Sequence, residues 1–132
     1  MSQENVEFVL RRFEEFEADG GPNPESWHED GVLTAPDGWP EPGPFKGRAA
    51  IMRQFERLVG DFSDFHSTNV EVIAEADDWV VIAFRWHTRG AQSGIAGTWE
   101  MTAAFRLKDG RFIEAHYRWE RQEALEAAGL RE

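Results

Sequence analysis

The sequence predicts an α+β fold in which helices pack on one face of an antiparallel sheet. Its first half carries helical patterns, with apolar residues recurring every three or four positions and charged residues between them. After Gly60 the pattern changes to alternating segments joined by short turns, which is typical of long strands in a meander. Helices followed by a strand meander indicate the α+β class.

Each predicted element has a local signal. The first helix carries an apolar stripe over residues 6–16 and ends at the turn 19–22. Asn23 as a cap and Pro24 in a first turn predict a short second helix over residues 23–30. The other predicted elements are a brief strand over 32–35, a helix over 48–59, strands over 67–76, 79–89, 98–107 and 111–120, and a terminal helix over 121–129.

The alternation along the last three strands predicts which side chains share a face of the sheet. One row of each strand is apolar and the opposite row is charged, so the apolar rows should face the helices. The charged rows should face solvent or a polar dimer surface. The apolar rows are Val80, Ile82, Phe84 and Trp86, then Trp99, Met101, Ala103, Phe105 and Leu107, and finally Ile113, Ala115, Tyr117 and Trp119.

Composition and charge narrow the classes of function. A chain of 132 residues suits one domain over residues 1–132. Its 14 Lys and Arg against 25 Asp and Glu give a net charge of −11, which repels nucleic acid and anionic membrane surfaces. The absence of Cys excludes disulfides and thiolate chemistry. Without a leader pattern or a membrane-length apolar run, we expect a cytoplasmic protein.

Sequence motifs for metals and cofactors are also missing. The His and carboxylate residues lack metal-ligand spacing, and no Gly-rich phosphate loop joins a strand to a helix. We therefore expect neither a metal site nor a cofactor.

Residues 36–51 contain an unusual loop with four prolines, Asp37 and Trp39, followed by the start of the predicted helix over 48–59. Proline restricts the backbone, so we expect the loop to be held in place as the rim of a pocket. Trp39 either closes over a flat ligand or joins the core. Asp37 is either a general acid or base at the pocket mouth or a residue of an Asp-Gly turn.

Three segments carry a family resemblance. They are WHEDGVLTAP, GWPEPGPFKGRAAIMRQFERL and FRLKDGRFIEAHYRWERQEALEAAGL. Their order and spacing resemble the nuclear transport factor 2-like superfamily, in its SnoaL-like and ketosteroid-isomerase-like branch. The resemblance implies a curved antiparallel sheet wrapped around N-terminal helices as a cone, a cystatin-like α+β barrel. It also implies a cavity open at one end and, usually, a homodimer.

The resemblance carries over only part of the catalytic machinery of the isomerases. Asp37 stands within one residue of the position of their general-base Asp, counted back from Gly47. Their first-helix Tyr has no counterpart, since that helix offers Phe13 and Phe16. Their second carboxylic acid is replaced by Ala103.

Other candidate residues follow from the predicted elements. Tyr117, placed inside by alternation, either donates a hydrogen bond to a ligand oxygen or is satisfied by backbone. Asp30 either forms a proton-relay pair with His28 or is a turn residue. The candidate catalytic residues are Asp37 and Tyr117, and the candidate pocket residues are Phe13, Trp27, Asp30, Trp39, Phe55, Trp86, Trp99, Ala103 and Trp119.

Three functions are consistent with these patterns. The favoured one is the binding of a small hydrophobic molecule in an apolar, aromatic-lined pocket. The second is an isomerase, cyclase or hydratase that uses Asp37 as general base and Tyr117 to polarise an oxygen of a hydrophobic cyclic or polyketide-like substrate. The third is a dimeric accessory module whose cone is filled by its own aromatic residues. The chain lacks counterparts of the isomerases' oxyanion-stabilising groups, which often make the largest contribution to catalysis. This absence favours ligand binding over the enzyme hypothesis.

Overall fold

The computed structural model describes residues 2–39, 41 and 43–130. Within these residues the chain forms three α-helices, one 3₁₀ turn at Pro24–Ser26 and six strands. The helices are α1 (Ser2–Asp19), α2 (Arg48–Gly60) and α3 (Arg121–Ala127). The strands are β1 (Trp27–Thr34), β2 (Phe45–Lys46), β3 (Phe62–Ala76), β4 (Trp79–Gly90), β5 (Ala96–Lys108) and β6 (Arg111–Arg118).

The six strands form one curved, unclosed sheet in the order β2-β1-β6-β5-β4-β3. All neighbouring strands are antiparallel except β1 and β6, which pair in parallel. Helices α1 and α2 pack on the inner, concave face. The predicted α+β cone is therefore confirmed, with one parallel pair added to the expected antiparallel meander.

The inner face is the apolar one that the alternation predicted. Val80, Ile82 and Ala103 are fully buried there, and the fully buried Val9 of α1 and Ile51 of α2 pack against the same core. Phe84, Trp86, Met101, Phe105 and Leu107 complete the strand rows. Burial of these side chains is the main source of stability for a sheet with one solvated face.

The predicted second helix over residues 23–30 is wrong. Asn23 does cap a turn, since its side chain accepts a hydrogen bond from the Glu25 N–H at 3.0 Å, but the turn ends at Ser26. Trp27 then begins β1, pairs with Phe112 of β6 and is only 3% exposed. Burial of this indole and pairing with β6 override the local helical signal.

A register shift in β6 changes the predicted inner row. Arg106 pairs with Glu114, whereas the next residue, Leu107, pairs with Phe112, so Ile113 is the extra residue of a bulge. Phe112 therefore faces the core in place of Ile113. Its ring contacts the rings of Phe105 at 4.9 Å and Trp27 at 5.1 Å.

Helix α3 packs on the opposite, convex face, where the alternation predicted the charged rows. There Val81 and Ala104, both fully buried, contact Ala124, Leu125 and Ala128. Small apolar side chains at these two strand positions allow the short helix to approach the sheet closely. Helices thus contact both faces of the sheet, and α3 covers only part of the convex one.

The rest of the convex face carries ion pairs between neighbouring strands. Arg85 contacts Glu100 at 2.8 Å, and Arg106 contacts both Asp78 at 2.7 Å and Glu114 at 3.0 Å. These side chains confirm the predicted charged rows. Such half-exposed pairs contribute more to register than to stability.

A chain of hydrogen bonds ties the parallel pair β1 and β6 together on this face. The His116 Nε2 lies 2.9 Å from a Glu114 oxygen, and its Nδ1 lies 2.8 Å from the Thr34 hydroxyl. Arg118 donates to the same hydroxyl at 2.9 Å. Glu114 and His116 lie on the same strand, and the contact of His116 with Thr34 is the one that links β6 to β1.

Replacing Leu125 by Ala should destabilise the protein by about 2–4 kcal/mol, because it removes a buried side chain between α3 and the sheet. Urea unfolding measures the change. Glu123→Ala, at an exposed position of the same helix, is the control and should change the free energy of unfolding by less than about 0.5 kcal/mol. Equal effects of the two variants would contradict the packing of α3 on this face.

The Glu114 network should make stability depend on pH in the acid range. Burial tends to raise the pKa of Glu114, but hydrogen bonds from His116 and Arg106 outweigh it and hold the pKa below its ordinary value of 4.5. A lowered pKa stabilises the fold above the ordinary value, and this contribution is lost as the pH falls through the folded-state pKa.

Glu114→Gln should therefore lose stability at neutral pH and show a shallower fall in stability below about pH 4.5 than the wild type. Urea unfolding across pH 3 to 7 is the measurement. Glu123→Gln, at an exposed position of α3, should follow the wild-type curve. If Glu114→Gln follows it too, the network does not shape acid stability.

Candidate functional site

A cavity of about 100 Å³ lies between the inner face of the sheet, α1 and α2. Most of its wall is aromatic or aliphatic, with Leu33 and Met101 among the aliphatic residues. The aromatic lining residues are Phe13, Phe16, Trp27, Trp39, Phe55, Phe65, Phe84, Trp86, Phe105, Phe112 and Tyr117. Such a concave apolar site with few polar groups is typical of a small-molecule pocket.

Helix α1 supplies one wall of the cavity through two rings one helical turn apart. Phe13 meets Phe84 of β4 edge-to-face at 5.2 Å, and Phe16 meets Phe55 of α2 at 5.8 Å. Residues three apart on a helix lie on the same face, so both rings point towards the sheet.

The loop after β1 places Trp39 over the cavity. A turn forms with the Trp39 N–H donating to the Pro36 carbonyl at 3.2 Å, and Gly38 supplies the positive φ of 87°. The indole of Trp39 then stacks on that of Trp86, with centroids 5.1 Å apart and planes 17° apart. Pro40 and Pro42, to which the sequence analysis gave a rigidifying role, lie outside the described residues.

Trp119 anchors this turn from the end of β6. Its Nε1–H donates to the Asp37 carbonyl at 2.8 Å, and its ring lies 5.8 Å from that of Trp39. The loop is thus attached to the sheet at two points, the backbone carbonyl of Asp37 and the indole ring of Trp39. Trp119 positions the cavity wall without lining it.

Tyr117 brings a hydroxyl to the cavity. Its ring is packed edge-to-face against Phe105 at 5.9 Å and Phe84 at 6.4 Å. Within the described part of the chain, nothing hydrogen-bonds its hydroxyl. Burial raises the pKa of Tyr117, so the hydroxyl keeps its proton and can donate a hydrogen bond at neutral pH.

Two other polar side chains of the cavity wall each carry an enclosed atom without a hydrogen-bond partner among the described residues, and sequence reasoning missed both. These atoms are the Oε1 of Gln54 in α2, a residue that is 7% exposed, and the Nε of Arg12 in α1. A signal was present in the sequence, since Gln54 stands three residues after Ile51 and four before Leu58, on the apolar stripe of the helix. A polar residue at such a position needs a partner or a cavity.

Six of the predicted site residues line the cavity and five do not. Those in the wall are Phe13, Trp27, Trp39, Phe55, Trp86 and Tyr117. Those outside the wall are Asp30, Asp37, Trp99, Ala103 and Trp119.

The two predicted carboxylates lie at the surface. Asp37 is exposed in the turn that carries Trp39. The Asp30 side chain is 87% exposed, and its carboxylate is 4.0 Å from His28. The Asp30 backbone N–H donates to the His28 Nδ1 at 3.0 Å, so this pair is a local turn contact.

Ala103 and Trp99, which also lie outside the cavity wall, differ in their burial. Ala103 is fully buried in the core between β4 and β6, where it pairs with Ile82 and Tyr117. Trp99 pairs across the strands with Trp86 but is 46% exposed, because it lies near the open end of the sheet. Its ring contacts Trp119 at 5.8 Å.

The described ranges contain neither a metal-ligand cluster nor a membrane-spanning helix. Residues 2–39, 41 and 43–130 contain no group of three or more His, Asp or Glu side chains that could hold a metal ion. None of the helices in that part of the chain is long and apolar enough to cross a membrane.

Comparison with solved structures finds the same fold in several proteins. Bal32a, from a soil-derived mobile gene cassette, has a TM-score of 0.77 at 24% identity, with 96% of each chain covered. A protein of Jannaschia sp. CCS1, assigned as a SnoaL-like polyketide cyclase, has a TM-score of 0.73 at 22% identity, covering 88% of this chain and 85% of that one.

A third structure comes from Catenulispora acidiphila, a protein with a ketosteroid isomerase-like fold in complex with trimethylamine. Its TM-score is 0.70 at 17% identity, covering 95% of this chain and 94% of that one. At these identities the likeness shows a shared fold. No match was found among curated proteins.

The sequence itself gives the family. Residues 11–115 match the SnoaL-like domain, so the match includes the second half of α1, all of α2 and the sheet as far as β6. The earlier resemblance, made on three segments, is thereby confirmed. The chain belongs to the SnoaL-like domain family.

Proposed function

We propose that this protein binds a small, flat, mainly apolar molecule in the cavity between α1, α2 and the sheet. The observation that carries the proposal is the Tyr117 hydroxyl, which makes no hydrogen bond among the described residues and stands in a wall that is otherwise largely aromatic. A tyrosine hydroxyl can both donate and accept a hydrogen bond. A ligand with an oxygen acceptor would supply the missing partner.

The size and shape of the cavity suit a ligand built on one ring. A volume of about 100 Å³ is of the order of an engineered apolar cavity that accepts benzene. Aromatic walls contact a flat ligand by edge-to-face or offset stacking. The stacked pair Trp39 and Trp86 offers such a surface on one side.

The catalytic alternative has less support. A general base must come within about 2.6–3.2 Å of the proton that it removes, and Asp37 is exposed outside the cavity wall. The Jannaschia relative is assigned as a polyketide cyclase, and the Catenulispora relative holds trimethylamine. Both are consistent with a small molecule in this fold, and neither supplies a base to this chain.

The accessory-module alternative requires a cone that is filled by its own aromatic residues. Trp86, Trp99 and Trp119 do meet, directly or through Trp39, at the open end of the sheet. A cavity of about 100 Å³ nevertheless remains beneath them. The presence of this space favours the ligand-binding proposal over the accessory-module alternative.

Tyr117→Phe should weaken acetophenone binding about five- to tenfold, because it removes one hydrogen bond to the ligand carbonyl. Isopropylbenzene, which has a similar shape and no oxygen, is the control and should bind both proteins equally. NMR titration gives the affinities. Without ligand, the variant should be as stable as the wild type or more stable by up to about 1 kcal/mol, since no existing hydrogen bond is lost.

Three results would contradict this proposal. Equal losses for the two probes would mean that the hydroxyl does not meet the carbonyl. No binding of either probe at millimolar concentration would overturn binding in the cavity. A marked loss of stability without ligand would mean that the hydroxyl already has a partner.

Trp39→Ala should speed the dissociation of acetophenone about tenfold, because it removes apolar surface from one side of the bound ligand. Line-shape NMR or stopped-flow fluorescence measures the rate. The matched control is Trp99→Ala, at a half-exposed Trp outside the cavity wall. Equal dissociation rates in the wild type and Trp39→Ala would remove Trp39 from the binding site.

A further inference from the structure

The charged side chains of the cavity wall leave one negative charge uncompensated. Among the described residues these side chains are Arg12, Glu15 and Glu17, all from α1. The Arg12 guanidinium lies 3.0 Å from a Glu15 carboxylate oxygen, so these two charges offset each other. In the same part of the chain, no Lys, Arg or His side chain forms an ion pair with Glu17. The wall therefore carries the negative charge of Glu17.

The Glu17 carboxylate is held at the rim of the cavity. Its Oε1 accepts a hydrogen bond from the Ser67 N–H of β3 at 2.6 Å, and both residues line the cavity. Glu17 is also exposed, so this part of the wall meets the surface. A carboxylate offers about four acceptor positions on its two oxygens. Among the described residues only Ser67 donates to it, so further positions are open to a donor on a ligand.

The end of helix α1 adds to the negative potential at this place. Glu17 and Asp19 stand in the last turn of the helix, which contains no basic residue. The carbonyl groups at a helix C-terminus carry partial negative charge, so cations are favoured there and carboxylates are disfavoured. The net charge of −11 acts in the same direction over a longer range. A cationic group beside Glu17 would relieve this repulsion, whereas an anionic group would increase it.

Aromatic rings lie in the same part of the wall as this carboxylate. Phe65 precedes Ser67 by two residues in β3, so their side chains share the inner face of the sheet. The Phe65 ring lies 5.6 Å from the ring of Phe16, the residue before Glu17, and 4.5 Å from that of Trp86. All three rings line the cavity. Because aromatic faces attract ammonium groups, the rings and the charge favour the same kind of ligand.

We propose that the ligand is an aromatic amine, whose ring occupies the cavity while its ammonium group contacts the Glu17 carboxylate at the rim. This inference rests on the proposed small-molecule function and adds the charge class of the ligand. The ammonium group donates to the carboxylate and stays in contact with water at the rim. Binding therefore does not require the full desolvation that makes buried ion pairs costly.

The test compares three single-ring probes of similar size. Benzylamine is cationic at neutral pH, benzyl alcohol is its neutral counterpart, and benzoate is anionic. NMR titration gives the three Kd values. The wild type should bind benzylamine more tightly than benzoate. Binding of benzoate that is as tight as that of benzylamine, or tighter, would overturn the proposal.

Glu17→Gln removes the charge and keeps a carbonyl oxygen that can accept from the Ser67 N–H. The quantity of interest is the ratio of the benzyl alcohol Kd to the benzylamine Kd. Comparing this ratio between two proteins cancels the different hydration of the two probes. We expect the ratio to fall about three- to fivefold, because an exposed ion pair is lost, while the benzyl alcohol Kd changes less than twofold. An unchanged ratio would overturn the role of Glu17.

The matched control is Glu14→Gln, which makes the same change in net charge. Glu14 is an exposed residue of α1 outside the cavity wall. The ratio in this variant should stay close to that of the wild type. A fall as large as that in Glu17→Gln would assign the effect to the net charge of the chain and overturn a contact at Glu17.

The wild-type protein provides a second measurement that needs no variant. Benzylamine should shift the side-chain carboxyl carbon resonance of Glu17 more than that of Glu14. Equal or smaller shifts at Glu17 would overturn the inference. If benzyl alcohol binds but the preference for benzylamine does not depend on Glu17, this inference alone fails. If no probe binds, the proposed function fails with it.

Discussion

The packing of aromatic rings from α1 and α2 against the inner face of the sheet is the interaction on which the structure depends. Phe13 meets Phe84 and Phe105 edge-to-face, and Phe16 meets Phe55 and Phe65. Each such contact contributes roughly 0.5–1.5 kcal/mol beyond its area burial. The rings hold the helices above a curved sheet that would otherwise expose its apolar rows. The cavity lies between these rings.

The Tyr117 hydroxyl can orient a ligand because the rest of the cavity wall is largely apolar. The loop that carries Trp39 covers this space and is attached to the sheet through Trp119 and the Asp37 carbonyl. Asp37 stands near the position of the isomerases' general base, but here it acts through its backbone carbonyl, which accepts the hydrogen bond that holds the Trp39 loop in place.

The sequence predicted the helices, the strand meander and the inner apolar rows, because period and alternation report directly on burial. It missed the bulge at Ile113, since one extra residue leaves the composition of a strand unchanged. It missed α3 on the convex face, where burial depends on Val81 and Ala104 within charged rows. The spacing of Gln54 placed it on an apolar stripe, but only the fold shows a cavity there. The homodimer stays a prediction.

The most direct test of this account is to locate bound acetophenone by intermolecular NOEs. Methyl-labelled protein saturated with acetophenone should give NOEs from the ligand ring to Leu33 and Met101, which line the cavity. No NOE should reach Leu125, which lies on the other side of the sheet. NOEs to Leu125, or none to Leu33 and Met101 at saturation, would contradict the claim that the cone is a ligand site.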